Sequence, residues 1–242
     1  MSLGLEVAFL PGFAIARRLD KDGDMKRHLL LTPAFGLLTC LGLAGLCFML
    51  EWSLEALTWL MVLSNIAAFV AIRVELNPVH VTNRIERAPW FWIFTAIACF
   101  IAITPLTYMR PMGVDWVGFA SLADAASKTG GFSLSHPSTG VWIYPPAFPM
   151  LAAWIGGPPH DAVFLLGTLC FVSLLMGIAA VGEKLHCGHW TIMAMLLAPA
   201  LFAKNLDSGY PTVASQLGLV VILMMFGKKL QWGVIATTAL VV

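Results

Sequence analysis

The amino-acid sequence predicts an all-α integral membrane protein. It reads as a polytopic helical bundle of about seven to eight spans, with a long extracytoplasmic loop that contains an amphipathic interfacial helix. Three observations carry this. Apolar residues make up 59% of the 242 positions and charged residues only 11%, where a soluble domain carries roughly 25% charged residues. The apolar residues fall into successive runs long enough, at about 20 residues, to cross a bilayer. Lys and Arg, finally, are concentrated in alternate loops.

Taken in order, the runs at 29–50, 89–108 and 162–181 meet the length requirement, and 56–72 is close behind. The runs at 190–203 and 211–226 are shorter but bounded by charges or turn residues. The first run, 1–16, carries Glu6 and a Pro11-Gly12 pair that reads as a break, so it barely spans. The run from Leu230 is still apolar at Val242, which reads as the start of a further span in a chain that continues. Residues 1–242 form one transmembrane domain, with amino-terminal spans in 1–88, a core in 89–226 and the start of another span in 227–242.

Orientation follows from the basic residues, because cytoplasmic loops are enriched in them. One set of alternate loops holds Arg17, Arg18, Lys21, Lys26, Arg27, Arg73, Arg84, Arg87, Lys184, Lys228 and Lys229, and the other only Arg110, Lys128 and Lys204. The first set is therefore cytoplasmic. The amino terminus and the loops at 51–55, 109–161 and 204–210 are then extracytoplasmic. The net charge of +1 gives no footprint for nucleic acid. Cys40, Cys47, Cys99 and Cys170 sit in apolar runs and read as small hydrophobes rather than disulfide partners.

Within the long outer loop, Trp116, Phe119, Ala120 and Ala123 fall on one stripe at helical spacing, with Ser121, Asp124 and Lys128 on another face. The spacing predicts a helix over 116–128 lying on the membrane surface. A turn at Gly130-Gly131 and a polar stretch through His136 follow, and Pro149 is placed to open another short helix.

Asp115, between Gly113 and this helix at the mouth of the fourth span, reads as an N-cap or as a general base held over a groove. Asp207, in an Asn-Leu-Asp-Ser-Gly loop, reads as a turn residue. It also shares the outer face with Asp115, Asp124, His136, His160 and Asp161, and oxygen-rich clusters suit a hard divalent cation such as Mg or Mn. Asp124, nine positions after Asp115, faces another direction and reads as solvent-facing. His160-Asp161 reads as a helix start. His186-Cys187-Gly188-His189 has metal-type residues at a spacing that fits no zinc pattern. Glu6, in or near the bilayer, reads as a functional carboxylate or, more simply, as one snorkelling to the surface. The sequence contains no nucleotide-binding glycine loop and no G-x-S-x-G elbow.

The order of features resembles the amino-terminal part of the GT-C class of membrane glycosyltransferases, especially protein mannosyltransferases and aminoarabinose transferases. An Asp in the first long outer loop precedes an amphipathic helix. Tyr144-Pro145-Pro146-Ala147-Phe148-Pro149 and Gly156-Gly157 follow, then a span ending near a Gly-Glu-Lys turn, a span with Ala198-Pro199 near its outer end and an Asp-bearing loop. The resemblance covers 89–226.

It implies transfer of a sugar from a polyprenyl-phosphate donor to an acceptor, with membrane lipid as partner and no nucleotide cofactor. Asp115 matches the base on the acceptor hydroxyl. Asp207 matches an acid associated with metal or donor phosphate, which makes Asp115 and Asp207 the expected cation ligands. Tyr144, Lys204 and Arg110 are the expected substrate contacts. Two departures stand out: Trp116 follows Asp115 where many members have Glu, and Tyr144 replaces a lysine before Pro-Pro. The first departure favours an alternative, a non-catalytic scaffold subunit of a membrane protein complex. A transporter is a further alternative, opposed by the lack of clustered ionisable groups within the spans.

Overall fold

The structure, a computed structural model, describes residues 8–21, 23–74, 89–108, 113–136, 140, 146–198, 202–203, 207 and 209–225. These are helical, with no strand among them. The expectations for Glu6, Arg110, Tyr144, Lys204 and 227–242 lie outside the described residues.

Two helices, α1 (Phe9–Leu19) and α2 (Met25–Met49), form an antiparallel hairpin. Pro11-Gly12 does not break α1, contrary to the sequence reading; both residues are buried inside it. Proline is tolerated there because the first-turn N–H groups of a helix have no intrahelical partner. Gly12 has a packing reason: a Cβ there would strike the Thr32 carbonyl and the Gly36 backbone. Gly36 in turn lies against the Ala8 carbonyl. The two glycines let the hairpin's backbones meet directly.

The next helix, α3 (Leu54–Val74), runs back from the end of α2. It buries Leu57, Met61 and Ala68 and exposes Trp59, Leu63, Ile66, Phe69 and Val70. An outward apolar row of this length suits lipid better than water. A fourth helix, α4 (Pro89–Tyr108), turns Thr95, Ala98 and Ala102 inward. Three helices are long and apolar enough to cross a membrane among the described residues: α2, α3 and α7 (Pro159–Lys184). At the centre, α2 and α7 contribute Leu31, Phe35, Leu41, Leu166, Cys170 and Phe171 to the core. Both are apolar nearly all round, as helices buried on every side must be.

Three further helices close the bundle: α6 (Ala147–Ile155), α8 (Gly188–Leu196) and α9 (Tyr210–Met225). The expected continuous span over 190–203 is not observed. Instead, α8 stops at Leu196, with a turn at Leu197. Pro149 lies inside the first turn of α6 rather than opening it. This helix is buried along most of its length and ends at Gly156, whose φ of 76° suits glycine.

The bundle has two unlike ends. At one, Lys26 pairs with Glu183 at 3.0 Å and joins the start of α2 to the end of α7. Arg17, Arg18, Lys21, Arg27, Arg73 and Lys184 share this basic end. At the other, the loop after α2 meets the chain following α5 (Asp115–Thr129), where the Leu54 N–H donates to Gly130 O at 2.8 Å. Trp154 Nε1 donates to Thr58 Oγ1 at 2.9 Å at the same end. Lys128 is its one described Lys or Arg.

Candidate functional site

The candidate site is built on α5, which lies at the end opposite the basic residues. Its apolar stripe is the expected one: Phe119, Ala123 and Ala126 are buried against the bundle, and Trp116 packs on Phe164 of α7 at 5.0 Å. The helix ends at Gly130, whose φ of 80° is the left-handed conformation that suits a glycine terminator.

An aromatic ladder ties α5 to two other elements. Phe119 meets Phe148 of α6 edge-on at 5.7 Å, and Phe148 stacks on Tyr210 of α9 at 6.0 Å. Aromatic pairs at this spacing contribute about 0.5–1.5 kcal/mol beyond their buried area. Tyr210 is seated over Gly167 of α7, where a Cβ would run into its ring. Asp115 stands one turn before Phe119, and Asp207 three residues before Tyr210. The ladder therefore gathers the two acid-bearing segments at one end of the bundle.

Asp115 is not the N-cap. Val114 takes that place without a side-chain hydrogen bond, and Asp115 is the exposed first residue of α5. Its carboxylate still suits the positive end of the helix dipole, and no cap interaction occupies it. Asp207 is also exposed. Among the described residues no three His, Cys, Asp or Glu side chains gather as ligands for a cation. His160 and Asp161 form the first turn of α7 as expected, with Nε2 and Oδ1 3.2 Å apart.

A groove on each side makes α5 a ridge. The first groove, about 420 Å³, runs between α5 and the start of α7, and its polar lining is Ser121, Asp124 and His160. Asp124 thus lines a groove while remaining part-exposed, and Lys128 pairs with it at 2.6 Å. The second groove, about 630 Å³, lies between α5 and the loop after α2, and Glu51, Trp52, Ser133 and His136 contribute to it. The sequence reading missed Glu51 and Trp52. Their signal was faint: a Glu-Trp-Ser triplet in a loop assigned to the same face.

Comparison with known protein families, curated proteins and solved structures gave no match.

The basic end offers a contrast. Arg27 holds Asp20 with two hydrogen bonds, from Nε to Oδ2 and from a terminal nitrogen to Oδ1 at 3.1 Å. His28 Nε2 lies 2.8 Å from the Asp20 carbonyl, so that nitrogen carries the proton and donates. Its Nδ1 is buried with no partner among the described residues. This cluster fastens the α1–α2 turn, and no groove opens beside it among those described above.

Proposed function

We propose that this chain is the core of a membrane glycosyltransferase that moves a sugar from a polyprenyl-phosphate donor to an acceptor on the extracytoplasmic face. In this reading the bundle has seven to eight spans, its amino terminus is outside, and the α5 end is the working end. The observation that carries it is the gathering of the Asp115 and Asp207 segments around α5 by Phe119, Phe148 and Tyr210. The sorting of basic residues to the opposite end supports the orientation.

The reaction asks little of a fold. A carboxylate takes the proton of the acceptor hydroxyl, whose oxygen attacks the anomeric carbon. The bond from that carbon to the phosphate oxygen breaks, and polyprenyl phosphate departs with the electron pair. Asp115, exposed and uncommitted to a cap, is the base assigned here; Lys204, Arg110 and Tyr144 are assigned to the donor. The alternative is a non-catalytic subunit of a membrane complex, which the outward apolar row of α3 also suits.

The test is transfer of labelled sugar from a polyprenyl-phosphate donor in membranes holding the full chain. Asp115→Asn is expected to fold normally and lose at least about 10²-fold in rate, the low end for general-base catalysis. Lys21→Gln, exposed at the basic end, is the control expected to change the rate by less than about threefold, as suits a surface substitution away from the site. Full activity in Asp115→Asn would overturn the assignment.

A further inference from the structure

The left-handed residue at the end of α2 is the starting point. The helix closes with the Trp52 N–H bonded to Cys47 O at 2.8 Å and the Glu51 N–H to Phe48 O at 3.1 Å. This is the six-to-one and five-to-two pattern of a Schellman terminator, whose left-handed residue is usually glycine. Here it is Glu51, at φ 52°. A side chain in that conformation is disfavoured, and such outliers concentrate at functional sites.

Part of the reason for Glu51 is visible. Its Oε1 accepts from the Leu134 N–H at 2.9 Å and from Ser133 Oγ at 3.3 Å, pinning the loop after α5 to the end of α2. Gly131 lets the two loops close, since a Cβ there would sit 3.1 Å from Trp52 O. The other oxygen, Oε2, has no partner among the described residues. The walls of the second groove are thus fixed, and one acceptor oxygen remains to be used.

The lining tells which ligand fits. Trp52, 43% exposed, lines the groove together with the polar side chains of Glu51, Ser133, Thr129 and His136. Among the described residues no Lys or Arg lines the groove, and Glu51 brings a carboxylate to it, which disfavours a phosphate. A pyranose matches this pattern: its C–H face packs on the electron-rich face of an indole, and its hydroxyls donate to a carboxylate. At about 630 Å³ the groove falls within the roughly 300–1,000 Å³ of small-molecule sites.

We infer that the groove between α5 and the Glu51-Trp52 loop is a binding site for a neutral saccharide, held by Trp52 and Glu51. It rests on the glycosyltransferase reading only in naming that saccharide as the acceptor; the binding site stands without it.

The experiment is saturation-transfer NMR on the full chain in nanodiscs, with mannotriose, cellotriose and chitotriose as probes and no donor present. At least one is expected to bind with a Kd of about 5 mM or tighter. Trp52→Ala and Glu51→Gly should each weaken it at least about tenfold. Glu51→Gly supplies the residue the terminator prefers, so its melting temperature separates loss of binding from loss of fold. No binding of any probe at about 20 mM, or equal binding by both variants, would overturn the inference. Binding with no transferase activity would leave the site standing and sink the transferase reading. Transfer unaffected by Glu51→Gly would sink the acceptor assignment alone.

Discussion

Two helix ends, at opposite ends of the bundle, are built alike and used differently. In α7, as in α2, a Schellman terminator closes the helix: the Cys187 N–H bonds Gly182 O at 2.9 Å and the His186 N–H bonds Glu183 O at 3.1 Å. Its left-handed residue is again not glycine but His186, at φ 58°. There the likeness stops. Glu51 reaches across to Ser133 and Leu134 and lines a groove, whereas His186 is exposed and belongs to neither groove described here. The basic end is fastened by part-buried ion pairs, with Asp20 on Arg27 and Lys26 on Glu183. The α5 end is fastened by aromatic packing and backbone bonds, and its carboxylates stay near solvent. Equal local backbone chemistry thus carries a groove-lining side chain at one end and an exposed histidine at the other.

The sharpest way to break this contrast is at the latch. Asp20→Ala leaves Arg27 without its nearly buried partner, and removing one member of a buried pair costs about 3–5 kcal/mol. A large fall in melting temperature in detergent is expected, and an unchanged one would show that the α1–α2 turn does not hold the basic end. At the other end, Phe148→Ala removes the middle of the ladder. A buried Phe→Ala change costs about 3–5 kcal/mol, and here it should also free α5 to exchange its amide protons faster by mass spectrometry. Global loss of stability with α5 still protected would contradict the ladder's role.

Smaller effects separate the two terminators. His186→Gly should stabilise by about 1 kcal/mol, the cost of a side chain in the left-handed region. Glu51→Gly should show less gain, because it gives up the bonds to Ser133 and Leu134. Equal gains in melting temperature would mean that Glu51 does nothing for the loop. The smallest effect belongs to Lys128→Ala: the exposed pair with Asp124, four residues away on one helix, contributes about 0.3–0.5 kcal/mol.

Much of the fold was legible because membrane spans are written in long apolar runs. The runs at 29–50, 56–72 and 162–181 reappear as helices extended by a few residues at their ends. The stripe of Phe119 and Ala123 placed α5 correctly, since helical spacing fixes which side chains share a face. Composition misled where tertiary context decides. Pro11-Gly12 looked like a break but is a close-packing position against Thr32 and Gly36. Residues 190–203 are apolar throughout, yet the helix stops at Leu196.

The site was less legible. Asp115 was placed just before a helix as its cap, but it is the first residue of that helix and Val114 holds the cap position. Glu51 went unnoticed because its meaning lies in a backbone angle and in a partner more than eighty residues away, at Leu134. Neither is visible in the spacing of residue types.

The central claim is that the two ends face opposite sides of the membrane, with α5 outside. Single cysteines at Ser135 and Lys21, both exposed and at opposite ends, test it in a background without the five native cysteines. Intact cells treated with an impermeant maleimide should label the cysteine at 135 and spare the one at 21 until the membrane is opened. The reverse pattern would place α5, Asp115 and both grooves in the cytoplasm and contradict the account.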